Sequence, residues 1–235
     1  MQLFYNANIK ESDKQFTFDK TESRHIVRSL RKKEGDQLFL TDGKGILFVA
    51  EIVLANDKKC LVTILSADKK NKSWNYHLHI AIAPTKNIDR LEWFLEKATE
   101  IGIDEITPLL CDRSERKTIK TERLERIIES AMKQSLKFHL PKLNPLTKLS
   151  DFIRQDFNSN LYIAHCLPNK KHTLKSVLKP KHNTTILIGP EGDFSTSEIE
   201  NAIQQNFKPI TLGKSRLRTE TAGVVATQMV SFINQ

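Results

Sequence analysis

The sequence predicts an α/β chain in two parts, a small β-barrel over residues 1–72 followed by a mostly parallel, helix-covered sheet over residues 73–235. Three observations carry this reading. Short runs rich in β-branched and aromatic residues recur through the first 70 residues. The polar stretch Asp68–Ser73 then interrupts all apolar periodicity and reads as a linker. From Trp74 onward, strand-like runs alternate with amphipathic helical ones.

In the first part, Leu3–Tyr5, Gln15–Phe18, Gln37–Thr41, Ile46–Val53 and Leu61–Leu65 read as strands, with turns at Asp42–Gly45 and Asn56–Lys59. One helix over Glu22–Leu30 interrupts them and displays Arg24, Arg28, Arg31, Lys32 and Lys33. In the second part the strands are Leu78–Ala83, Glu105–Leu110, Asn160–His165, Thr184–Gly189 and Ile210–Leu212. Helices over Asn87–Ile101, Thr121–Phe138, Thr196–Gln205 and Thr219–Ile233 lie between or after them. Gly102 suits the C-cap of the first of these, and Ser195 with Glu198 forms a capping box for the third.

The 235 residues carry 37 Lys+Arg and 28 Asp+Glu, a formal net charge of +9, with a mean hydropathy of −0.42. Residues 1–72 contribute +4 and residues 73–235 contribute +5, so both parts could share one electropositive surface. Clusters such as Arg113, Arg116, Lys117, Lys120, Arg123 and Arg126 suit phosphate neutralisation, although charge alone fits a solvated face equally well. No apolar run reaches the roughly 18 residues of a membrane span, and the N-terminus has no secretory pattern, so a cytoplasmic address is expected. Cys60, Cys111 and Cys166 are scattered and form no C-x-x-C pair, and no H-E-x-x-H follows His77 and His79. No metal is expected.

Ligands of open α/β sheets bind beyond the carboxyl ends of strands. Two loops fall there: Ile188–Ser195, with Gly189, Pro190, Glu191, Gly192 and Asp193, and Leu212–Ala222, with Arg216 and Arg218. Gly213-Lys214-Ser215 mimics the end of a phosphate-binding P-loop, but that motif needs a glycine where Lys208 stands. No G-x-G-x-x-G opens a helix after the first strand of this part either. A nucleotide hydrolase and a dinucleotide fold are thereby disfavoured, leaving paired backbone-rich loops suited to a small ligand without phosphates.

These residues resemble a known family. Ile188-Gly-Pro-Glu-Gly-Asp-Phe-Ser195 followed by Leu212-Gly-Lys-Ser-Arg-Leu-Arg-Thr-Glu-Thr-Ala222 is similar to the 16S ribosomal RNA uridine-N3 methyltransferases of the SPOUT superfamily. The similarity extends to His25-Ile-Val-Arg28-Ser-Leu-Arg31, to Glu96–Gly102 with Ile106–Leu109, and to Asp112–Arg116. It implies a PUA-like RNA-binding barrel before a SPOUT domain with a deep trefoil knot, and S-adenosyl-L-methionine as cofactor. Matching cofactor positions are Leu187, Gly189, Pro190, Glu191, Gly192, Leu212, Leu217, Arg218, Thr219 and Ala222. The implied substrate is a uridine of 16S rRNA in the small ribosomal subunit, and the implied assembly is a homodimer. Two stretches depart from the family pattern: Asp193 stands where a second glycine is usual, and Met1–Phe4 lacks an arginine.

For the chemistry, Arg218, with Arg216 as second choice, is the candidate for stabilising charge on the uracil oxygens. Glu220 is the candidate for accepting the N3 proton or orienting Arg218, and also fits an acidic helix start. His25, Arg28, Arg31, Arg113 and Arg116 are the candidate RNA contacts. A non-catalytic RNA-binding assembly factor, or a SPOUT enzyme acting on another base or a ribose 2′-hydroxyl, stays open at this point.

Overall fold

The computed structural model describes residues 2–168 and 170–235; Met1, the first residue of the departing N-terminal stretch, lies outside them. The chain packs as two compact units, Met1–Ser73 with Met132–Leu140, and Trp74–Ala131 with Pro141–Gln235.

In the first unit, strands β1 (Leu3–Tyr5), β2 (Gln15–Thr17), β3 (Gln37–Thr41), β4 (Ile46–Leu54) and β5 (Leu61–Lys69) form one sheet in the order β1-β3-β4-β5-β2. β1 runs parallel to β3 and the other pairs are antiparallel. Register shifts between Val49 and Ala50 and between Ile52 and Leu54 interrupt the β4–β5 pairing, which curls the sheet around Phe4, Phe18, Ile26, Leu40, Phe48 and Val62. β1 and β2 remain at opposite edges, so the sheet is a half-barrel rather than a closed one.

Four features differ from the sequence reading here. The linker stretch begins inside β5, which continues through Lys69 because Ile46 and Leu47 pair with Lys69 and Asp68. The helix expected over Glu22–Leu30 is a short α1 (Lys20–Arg24) running into a π-helical turn, His25–Ser29, closed by Leu30 N–H to the His25 carbonyl at 3.0 Å. Segment 132–140 packs with this unit rather than with residues 73–235, since Phe138 O accepts from Gly45 N and Leu140 N donates to Gly43 O, both at 2.8 Å. The expected long helix stops at Gln134, before Leu136 turns to φ 54°.

The second unit is a parallel sheet. Its main strands are β6 (Leu78–Ile82), β7 (Glu105–Leu110), β10 (Asn160–Ala164), β12 (Thr184–Ile188) and β13 (Lys208–Thr211). Short strands β8 (Lys142–Leu143), β9 (Thr147–Lys148) and β11 (His172–Thr173), absent from the sequence reading, extend its edges. The order is β11-β13-β10-β12-β6-β7-β8, with β9 beside β7.

Strand alternation divides the apolar side chains between two faces. Ala81, Ile163 and Leu187 point toward one face, where they join Leu149 and Phe152 of α4 (Leu149–Phe152) and Ile199 and Ala202 of α6 (Thr196–Gln204). Toward the other points Ile82, against α7 (Thr219–Ile233) and α2 (Ile88–Ile101). The approach is so close that a Cβ on Gly223 would sit 2.6 Å from the Phe94 ring and 2.9 Å from Ile82 Cδ1. Covering on both faces is what lets these strands be apolar throughout.

The two helix-end signals read from sequence, Gly102 and the Ser195–Glu198 pair, are in place, and Asn87 lies outside the helix it was expected to start. Asn87 caps α2, Gly102 ends it at φ 126°, and Ser195 and Glu198 make the reciprocal capping box of α6. His79 is a satisfied core histidine: Nε2 lies 2.7 Å from Thr107 Oγ1, and burial pushes its pKa down to about 4. Among the described residues no helix is long and apolar enough to cross a membrane.

Candidate active site

Strand order decides where the chemistry can sit. β12 and β13 do not pair with each other; both flank β10. Three adjacent strands therefore end side by side, and the segments leaving them enclose a cavity of about 400 Å³. Its walls are Ala164–Cys166 after β10, Ile188–Glu191 and Asp193 around the end of β12, and Ile210–Leu212 with Ser215–Thr219 and Ala222 at the end of β13 and the start of α7.

The two loops singled out from sequence thus line one cavity. Thr219 Oγ1 donates to Gly189 O across 3.0 Å and is buried, which ties the start of α7 to the end of β12. Gly189 is needed because a Cβ there would meet the Phe194 ring at 3.0 Å and the Phe194 amide nitrogen at 3.2 Å. Asp193 adopts φ 63°, the left-handed region that favours glycine but tolerates aspartate. Its carboxylate takes up the local donors, accepting from Phe194 N–H at 2.9 Å and from Cys166 N–H at 2.8 Å. The departure from the family glycine therefore links the β12 loop to the β10 loop.

Of the expected cofactor positions, Gly189, Pro190, Glu191, Leu212, Leu217, Arg218, Thr219 and Ala222 line the cavity. Leu187 does not; it is fully buried in the sheet core beneath it. Gly192 does not either, and its carbonyl instead accepts from Arg113 Nη1 at 2.8 Å. Glu191 also accepts from the Lys86 amide at 2.9 Å, bracing the turn before α2.

Arg216 and Arg218 both line the cavity, and among the described residues neither guanidinium has a hydrogen-bond or ion-pair partner. Glu220 is outside it. Its carboxylate is buried, 3.9 Å from Arg90 Nε on α2, and Oε2 has no hydrogen-bond partner among the described residues. That placement fits the helix-start reading of Glu220 better than the proton-acceptor one.

The arginines after β7 are committed to backbone carbonyls. Arg113 reaches Gly192 O and Phe194 O, and Arg116 reaches Thr85 O at 3.0 Å and Lys86 O at 2.6 Å. In the first unit His25, Arg28 and Arg31 are exposed but do not share one α-helical face. His25 and Arg28 lie on the π-helical turn, and Arg31 follows it at φ 54°. Arg28 pairs with Asp57, which holds that carboxyl below its usual range.

The sequence reading missed the β10 wall, including His165. The signal was faint: a strand ending at the right place, followed by Cys166-Leu167-Pro168, with none of the glycines that mark the other loops.

The cavity suits S-adenosyl-L-methionine. Pockets for ligands of this kind span roughly 300–1,000 Å³ and are mostly apolar with a few placed polar groups. Here Ile188, Ile210, Leu212, Leu217 and Ala222 supply the apolar surface. Among the described residues, neither ring nitrogen of buried His165 has a hydrogen-bond partner.

Comparison with known proteins agrees with this fold. The sequence profile of the RNA methyltransferase domain matches residues 50–231, and that of the RNA methyltransferase PUA domain matches residues 18–65. These define the class: an RNA methyltransferase. The ribosomal RNA small subunit methyltransferase E of Buchnera aphidicola is 32% identical over 220 residues, spanning 90% of this chain and 86% of that one. That of Bacillus subtilis is 26% identical, spanning 92% and 90%. The chain belongs to the ribosomal RNA small subunit methyltransferase E family. Among solved structures, a probable rRNA-methyltransferase of Porphyromonas gingivalis superposes with a TM-score of 0.93 at 42% identity, covering 100% of this chain and 98% of that one. A Legionella pneumophila protein assigned as a methyltransferase, solved with bound SAM, gives 0.89 at 28% identity, covering 99% and 97%.

Proposed function

We propose that this chain transfers a methyl group from S-adenosyl-L-methionine to N3 of a uridine in the 16S rRNA of the small ribosomal subunit. The observation that carries the proposal is the cavity between the two strand-end loops, with two uncommitted guanidinium groups on its wall. When bound, the cofactor supplies an electrophilic methyl group on a sulfonium.

The chain's residues do the rest. The pairing edge of uridine is reachable only when the base is unpaired or extruded. N3 loses its proton to water before or during attack. Negative charge spreads onto the two flanking carbonyl oxygens as the proton leaves, and it is consumed as the new N–C bond forms and the carbon–sulfur bond breaks. Arg218, with Arg216 beside it in sequence, stabilises that charge as an oxyanion site does. Gly189, Pro190 and Leu212 shape the slot, and Thr219 holds the two loops together. Glu220 positions the first turn of α7 rather than touching the reacting atoms.

Residues 1–72 act as the RNA-binding part and residues 73–235 as the methyl-transfer part. His25, Arg28 and Arg31 grip the RNA backbone, joined by the N–H groups of Arg113 and Arg116 that carbonyls do not use. A homodimer is supported by the apolar surface of α2 and α7, where Trp93 and Phe232 are exposed. The knot that the family resemblance implies would draw α7 through the loop after β12, in keeping with the Thr219–Gly189 bond. The cytoplasm is the compartment that fits an rRNA substrate.

Mass-spectrometric mapping of small-subunit rRNA from cells with and without the protein tests the reading. N3-methyluridine is expected to disappear from one position when the protein is absent. An unchanged signal overturns the proposal and favours a non-catalytic RNA-binding factor.

A further inference from the structure

Three side chains carry buried polar atoms without a hydrogen-bond partner among the described residues: Glu92, His165 and Glu220. Only His165 lines the cavity. It follows β10, is 5% exposed, and leaves both Nδ1 and Nε2 unsatisfied. A buried polar group left so costs free energy unless a ligand or water completes it.

Neighbouring backbone groups on this wall are bonded within the protein. Lys171 Nζ donates to the carbonyls of His165 and Leu167 at 2.9 and 2.6 Å, and the Cys166 amide donates to Asp193. The imidazole is the unfilled hydrogen-bonding site.

We infer that His165 binds the nucleoside half of the methyl donor by hydrogen-bonding a ribose hydroxyl, and so sets the cavity's specificity for a nucleoside ligand. The inference rests on the cofactor reading given above. Burial and the neighbouring Lys171 ammonium both hold the ring's pKa below its ordinary value, against a weaker opposing pull from Asp193. The ring is therefore neutral and offers one donor and one acceptor. A carboxylate would use only the donor, and an ammonium only the acceptor. A hydroxyl can serve either nitrogen, and a ribose presents two adjacent hydroxyls.

Calorimetric titration with S-adenosylhomocysteine and its 2′-deoxy and 3′-deoxy forms tests this without turnover. For the unaltered chain, removing one of the two hydroxyls should weaken binding about tenfold, the worth of a well-placed hydrogen bond. His165→Phe keeps the ring volume and should lose about tenfold for S-adenosylhomocysteine, then become indifferent to that hydroxyl. His165→Asn, which retains a donor and an acceptor, should recover part of the loss. Far-ultraviolet dichroism and the thermal transition of both variants should match the unaltered chain. Unchanged affinity in His165→Phe overturns the inference and leaves the cofactor reading standing. Losses that multiply rather than overlap overturn it too, since they show no direct contact. No binding of S-adenosylhomocysteine by the unaltered chain overturns the cofactor reading itself.

Discussion

The two loops that face each other across the cavity are built in opposite ways. The segment after β12 is braced from several sides. Arg113 holds the Gly192 and Phe194 carbonyls, and Glu198 accepts from the Asp112 and Ser195 amides, each at 2.8 Å. Ser195 Oγ also donates to Asp112 at 2.7 Å, and Phe194 is fully buried. The segment after β13 has little of this. Residues 213–216 are exposed, and Thr211 Oγ1 donating to Gly213 O is the side-chain bond that shapes their turn. One wall is pre-organised, and the other has few contacts to resist movement. The uncommitted arginines sit on the second, where they can adjust to a base.

The largest effect should come from the adjustable wall's chemistry. Arg218→Ala is expected to lower methyl transfer to small subunits by about 10²–10³-fold, the usual cost of losing one oxyanion donor. Affinity for S-adenosylhomocysteine should stay within several-fold, as measured by calorimetry. Equal loss of both would assign Arg218 to building the pocket instead.

Glu198→Ala strikes the braced wall. It leaves the Asp112 and Ser195 amides without their acceptor, and chemical denaturation should show roughly 2–3 kcal/mol of lost stability. A loss near zero would mean that the bracing is not needed for the fold.

Arg113→Ala and Lys214→Ala compare the walls directly. The first should weaken S-adenosylhomocysteine binding several-fold by freeing the Gly192 and Phe194 carbonyls; the second should leave it unchanged. The reverse pattern would break the comparison.

The finest test is hydrogen exchange with and without S-adenosylhomocysteine. Amides of 212–218 should gain much more protection than those of 193–195, because the latter are already bonded to Pro190 O, Asp193 and Glu198 in the free chain. Equal gains on both would show that the braced wall orders only on binding.

Legibility followed the same division between local and remote causes. The capping box of α6, the apolar stripe of α2 and the glycine-rich turn after β12 are local, because each depends on residues within a few positions. They were correctly placed. The π-helical turn at His25–Ser29 was not, since its apolar spacing mimics an α-helix and the wider backbone bonds, such as Leu30 to His25, distinguish the two. That segment 132–140 packs with the first unit is not legible locally, because its partners, Gly43 and Gly45, lie nearly 100 residues earlier. Asp193, which stands where a second glycine is usual, is accommodated by two amide donors, one of them Cys166 on another strand end.

The sequence by itself determined the two-part α/β plan, the two strand-end loops and the arginines within them, because periodicity, turn chemistry and motif are properties of neighbouring residues. Only the tertiary structure decided that β10 lies between β12 and β13, that His165 thereby enters the cavity, and that Leu187, Gly192 and Glu220 stay out of it. Strand order depends on how crossovers pack against helices far away in the chain, and no local pattern encodes which two strands will end side by side.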